Sequence, residues 1–176
     1  MAGGKRHYKR ATQVLVVGAA ASFVYLPPAL AVAVSAGLLI GRFANPDVRD
    51  QEHIKNYAET QFKKKYGRMA GFLWWLFWWP LAKFIPHRNF LSHFPPIATP
   101  LAFLYLSIPL LSVAWWLLRP PVGIDTWLSA WLWNWSAVGI LAGWAVQDFV
   151  HLAQDDFVFF WTGGITAKPT RKKKRS

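Results

Sequence analysis

The chain has 176 residues, 54% of them apolar and 16% charged, with 12 tryptophans, no cysteine and a formal net charge of +12. That length suits one domain rather than two. The absence of cysteine excludes disulfide staples and thiolate ligands, so any metal must be held by His, Asp or Glu.

The charge is sparse and clustered. Lys and Arg crowd into residues 5–10, 55–68 and 171–175, with long uncharged stretches between. A strongly basic chain points either to nucleic acid or to anionic lipid headgroups beside membrane spans. The clusters flank apolar runs, which favours lipid and makes nucleic acid the weaker reading.

In chain order, residues 14–26 and 29–43 are apolar runs parted by Pro27-Pro28. Each is shorter than the about 20 residues a span needs, and the proline pair breaks helix, so a tight helical hairpin is expected over one kinked span. The basic start imitates a secretory signal, yet no cleavage site stands out before the second run, and a retained first span is expected. Residues 45–68 form a polar, partly helical loop. Residues 69–85 are rich in Trp and contain Pro80 and Lys83, which predicts an interfacial helix. Residues 97–118 read as a full span, 119–125 as a proline-rich turn and 126–150 as the last span. Acidic residues 151–156 and apolar residues 157–161 follow, then a basic tail. The domain expectation is one membrane-embedded helical unit over 1–165 and a disordered tail over 166–176.

Positive charge marks the cytoplasmic side. With both termini inside, every basic loop falls on the cytoplasmic face and Arg119 is the only basic residue outside. The fold class expected is thus all-α: a multi-pass bundle of about four spans plus the interfacial helix, in the cytoplasmic membrane. This topology puts His7, Asp47, Asp50, His53, His87, His93, His151 and Asp155 near one membrane face, and it would flip if residues 69–85 crossed fully.

Two groups have specific spacing. His151 and Asp155 lie one helical turn apart, where imidazole and carboxylate can share an ion, and Asp148 can join or orient them. The plainer alternative is a hydrogen bond at a helix end. His87 and His93 flank a short segment that begins with Arg88, whose guanidinium suits a phosphate or carboxylate; interfacial contact with headgroups is the plainer alternative there. Asp47 follows Asn45-Pro46, where a carboxylate can cap a helix or bind metal; taken alone, capping is the plainer reading. His53 reads as a loop residue. A His-rich, Cys-free set suits zinc, or else manganese or iron.

The run Pro86-His87-Arg88-Asn89-Phe90-Leu91-Ser92-His93, after a Trp-rich stretch ending in Trp-Pro, resembles the His-Arg…Ser-His signature of an uncharacterised group of prokaryotic membrane proteins described as metal-binding. That group is similar to the LexA-regulated, membrane-bound, metal-dependent hydrolase-like family. Asn45-Pro46-Asp47 resembles its Pro-Asp-x-Asp, His151-Leu152-Ala153-Gln154-Asp155 its late His-x-x-x-Asp, and His7 its early His. The order of polar residues is also a distant echo of zinc-dependent phospholipase C. Two positions depart from the pattern: Arg49 stands at the second Asp, with Asp50 adjacent, and Tyr8 follows the early His where Asp is usual.

The resemblance implies a metal-dependent hydrolase. His87, His93, His151 and Asp155 would be ligands, joined by Asp47 and His7. Asp148 or Asp156 would be the base, and Arg88 would hold an anionic group of a phosphoester or similar amphiphile. The alternative is a non-catalytic metal-binding membrane scaffold whose basic loop and tail bind anionic lipid, nucleic acid or a partner protein; the missing second Asp motivates it. Transport is disfavoured, since the spans carry almost no charge and no inverted repeat.

Overall fold

The computed structural model describes residues 4–46, 57–85 and 90–154. Among them the chain is all-α, without strands. Its helices are α1 (Gly4–Tyr25), α2 (Pro28–Phe43), α3 (Tyr57–Tyr66), α4 (Arg68–Phe84), α5 (Phe90–His93), α6 (Pro95–Leu118), α7 (Ile124–Leu132) and α8 (Trp135–Gln154).

Pro27-Pro28 reverses the chain. The Leu26 N–H bonds the Ser22 carbonyl at 2.9 Å and closes α1. Pro28 then opens α2, where a missing N–H costs nothing because the first helical N–H groups have no partner anyway. The two helices run antiparallel: Tyr8 near the start of α1 meets Arg42 in the last turn of α2. Helix α1 is longer than its apolar run. It starts at Gly4, so the basic segment and His7 are helical and His7 extends along the bundle.

Helices α2 and α8 pack most closely, and small residues allow it. Gly37 on α2 lies against the backbone of α8 and Gly143 on α8 against the backbone of α2, while Gly41 makes room for the Trp144 and Gln147 side chains and Gly139 for those of Leu30 and Ala33. A Cβ at Gly37 would strike the Ile140 carbonyl, and one at Gly143 the Val34 carbonyl. Each helix thus carries a Gly-x-x-x-Gly pair, the pattern that lets apolar helices approach when dispersion and polar contacts replace a hydrophobic drive. The Trp144 indole N–H donates to the Ala44 carbonyl at 3.2 Å and fixes the end of α2 against α8.

Helices α3 and α4 join at Gly67, whose φ of 92° lies in the left-handed region that glycine occupies without a Cβ clash. Helix α4 is continuous through Pro80. Its inner face enters the core: Trp78 is fully buried beside Ala44, Ala102, Phe103, Ala137 and Trp144. The Tyr105 hydroxyl donates to the Phe77 carbonyl at 2.6 Å and pins α4 to α6. Its other face leaves Met69, Phe72, Leu73 and Leu76 exposed.

Helix α6 begins at Pro95, earlier than the apolar count from residue 97, because Pro95-Pro96 take its first positions. The stretch 126–150, expected as one span, is broken. Helix α7 stops at Leu132, and Asn134 caps α8, its side-chain oxygen accepting the Ala137 N–H at 2.9 Å. A capping Asn satisfies an otherwise unpartnered N–H and starts a new helix there. In consequence α8 runs on to Gln154 and carries His151 in its last turn.

Two helices, α6 and α8, are long and apolar enough to cross a membrane, and α2 is a shorter apolar helix. Four spans were expected from sequence. Length and composition support two of them.

Candidate metal centre

The α1–α2 hairpin and the glycine-lined α2–α8 contact converge at one end of the bundle. There the first turns of α1, the last turn of α2 and the last turn of α8 meet, with α5 leading into α6 beside them. His7 and His151, separated by 144 positions, face each other: their Nδ1 atoms are 3.2 Å apart and their ring centroids 4.6 Å. Both are buried, at 8% and 5% exposure. Two imidazole nitrogens on one tetrahedral zinc, each at about 2.0–2.1 Å, lie about 3.4 Å from one another. The observed spacing therefore matches either one shared proton or one shared cation.

His93 lies behind this pair, its ring centroid 5.8 Å from that of His151. It is 1% exposed and Ser92 is fully buried. Ser92 Oγ sits 2.7 Å from His93 Nδ1. Metal-binding histidines commonly engage their second ring nitrogen in this way, which fixes tautomer and ring orientation. For His93 the contact commits Nε2 to any ligand.

Asp148 stands one turn before His151 on α8. It is fully buried, and Thr99 Oγ1 of α6 donates to its Oδ2 at 2.6 Å. That bond couples α6 to α8 directly beside the histidines. Asp148 does not line the crevice into which His7 and His151 open. The crevice is narrow, with room for about one water or one ion, and is lined also by Tyr8, Arg42, Asn45, Gln147 and Gln154. The Gln147 amide nitrogen donates to the Ala11 carbonyl at 2.9 Å, so its oxygen is the half of the amide left for the crevice.

Of the expected site residues, His7, His93 and His151 come together and Asp148 is adjacent to them. His87, Arg88, Asp47, Asp155 and Asp156 lie outside the described residues, as does His53. Among the described residues no group of three or more His, Asp or Glu is close enough to hold an ion. The donors at hand fit part of a metal shell: a facing histidine pair with a third histidine beside it, and no complete set. Sequence reasoning missed Arg42, Gln147 and Thr99. A usable signal was present, since Gly37/Gly41 and Gly139/Gly143 at equal spacing mark the faces that bring Arg42 and Gln147 to one place.

A family model described as uncharacterized metal-binding protein (DUF2227) matches residues 2–164. No curated protein and no solved structure gives a significant match.

Proposed function

The chain belongs to this family of uncharacterized metal-binding proteins, and on that premise we propose that it is a multi-pass membrane protein binding a divalent metal, zinc by donor type, at the histidine end of its bundle. The observation that carries the reading is the approach of His7 Nδ1 to His151 Nδ1 across 144 positions at 3.2 Å. His7 and His151 are the facing ligands among the described residues, and His93, behind them, would have to close in on the ion to join them. His87, Asp47 and Asp155 complete the set on the strength of their sequence pattern.

Helix α6 supports the membrane setting. At about 1.5 Å per residue its 24 residues reach about 36 Å, more than the roughly 30 Å hydrocarbon core. Its most apolar window has a mean hydropathy of 2.0 and is only 11% buried. A soluble core helix of that hydropathy hides in the interior; this one faces outward, where lipid would cover Leu104, Ile108, Leu110, Val113 and Leu117. The cytoplasmic placement of both termini follows from the basic clusters.

The chemistry we infer is hydrolysis of a phosphoester, or of a similar anionic amphiphile, at the membrane surface. A bound divalent ion supplies Lewis-acid activation of water. Around it, Ser92 orients His93, and the Thr99–Asp148 bond holds α8 so that His151 meets His7. A carboxylate so enclosed acts through position; Asp156 is the residue left for proton transfer. The alternative is a non-catalytic metal-binding scaffold. It is favoured by the incomplete donor set among the described residues and by Arg49 at the second Asp of the pattern.

The test is metal content by mass spectrometry of the detergent-purified chain, with phosphoester turnover on the same samples. Loss of metal in His7→Ala and in His151→Ala, with turnover lost alongside, supports the hydrolase. Metal lost without turnover in any sample supports the scaffold. An unmodified protein that binds no metal sinks both.

A further inference from the structure

The crevice beside the histidine pair holds a cation that the metal-centre reading does not use. Arg42, in the last turn of α2, donates through Nη2 to the Tyr8 hydroxyl at 2.6 Å. Its guanidinium also stacks over the Tyr8 ring at 4.4 Å and the Phe43 ring at 5.2 Å. Three contacts hold a side chain that is otherwise long and mobile. A guanidinium has five N–H donors in a rigid fork, and the tyrosine takes one direction only. Among the described residues the buried Nε meets no acceptor.

Among the described residues the crevice lining carries no counter-charge. His7, Tyr8, Asn45, Gln147, His151 and Gln154 line the crevice with Arg42, and none is acidic. Gln147, 3% exposed, adds a neutral amide. A partly buried guanidinium whose buried Nε meets no acceptor among the described residues is suited to an anion that completes it.

We infer that Arg42 binds a phosphate-type oxyanion directly beside the His7–His151 pair. Its fork and stacking recognise planar pairs of oxygens. A carboxylate would spend both oxygens on the fork. A phosphate monoester can place one further oxygen in the narrow crevice toward the histidines, with its phosphorus and ester arm at the mouth. This rests on the metal-centre reading for what lies across from Arg42, and it names the group that the site would hold. The phosphate can belong to a lipid headgroup or be free.

The experiment uses the full chain in a phosphate-free detergent. Calorimetry measures binding of inorganic phosphate and of dihexanoyl phosphatidic acid to the unmodified protein and to Arg42→Gln, Arg42→Lys and Tyr8→Phe, with metal content read on each sample. The unmodified protein binds at least one of the two probes. Arg42→Gln weakens that binding roughly tenfold to a hundredfold, the range of a charge-assisted bond, with metal content retained. Arg42→Lys falls between, because an ammonium lacks the fork, and Tyr8→Phe loses a few-fold by freeing the guanidinium. Binding of phosphatidic acid alone assigns the lipid source, binding of phosphate alone the free ion, and both support the inference. Unchanged affinity in Arg42→Gln overturns it, as does an unmodified protein that binds neither probe. Should Arg42→Gln fail to fold, the ordering of Arg42→Lys and Tyr8→Phe decides. A protein without metal refutes the metal-centre reading, whereas the dependence of phosphate affinity on Arg42 is still read on that sample and stands or falls separately.

Discussion

Replacing Gly143 by alanine tests whether the α2–α8 contact sets the histidine geometry from a distance. A Cβ there would strike the Val34 carbonyl and lie 2.9 Å from the Leu38 nitrogen and 3.0 Å from the Val34 carbonyl carbon. Carbon atoms in ordinary contact sit about 3.5–4.0 Å apart. These obstacles are backbone, so no rotamer change relieves them and the helices must part by about 1 Å. Overpacking costs about 1–3 kcal/mol, and a rigid obstacle belongs at the upper end. Against this, alanine gains about 1 kcal/mol of helix propensity over glycine. The net expectation is a loss of about 1–2 kcal/mol, read as a lowered thermal unfolding midpoint in detergent. The same shift, carried two turns along α8 to His151, takes its Nδ1 beyond the 3.2 Å approach to His7, so metal content falls as well. Gly18→Ala is the matched control. Its new Cβ meets only the flexible end of Leu38, at 2.9 Å, and the propensity gain should hold the midpoint level or raise it. If Gly143→Ala raises the midpoint as Gly18→Ala does, the small-residue contact does not control this packing.

Thr99→Val removes the donor to a fully buried carboxylate; a loss of about 1–3 kcal/mol is expected in the same unfolding assay, and an unchanged midpoint would show that the bond contributes nothing. Asn134→Ala deletes the α8 cap and should lower stability by about 1 kcal/mol, with Asn134→Asp retaining it. Trp78→Ala empties the centre of the core between α4, α6 and α8. The lost dispersion contacts should cost about 3–5 kcal/mol, and recovery in Trp78→Phe would be partial.

Pro27-Pro28 shows its turn locally, because a proline pair stops a helix whatever surrounds it. The apolar length of residues 97–118 likewise announces α6. Asn134 was passed over because the apolar pattern on both sides of it invites one continuous helix, and one polar residue inside Trp-rich sequence carries little weight in hydropathy. His7 was placed from resemblance, just ahead of the first apolar run. The structure puts it inside α1, since Lys and Arg are good helix formers even where apolar periodicity is absent.

The sequence by itself determined the all-α class, the apolar segments, the Pro27-Pro28 reversal and the residue types able to bind a metal. Composition, hydropathy and backbone sterics act within a few neighbours and need no partner. Only the tertiary structure decided that His7 faces His151, that Asp148 belongs with Thr99, and that Arg42 stacks on Tyr8 at the rim of the same crevice. Each of those contacts joins distant parts of the chain. It exists because whole helix faces pack against one another, and that choice of faces is made by the fit between helices.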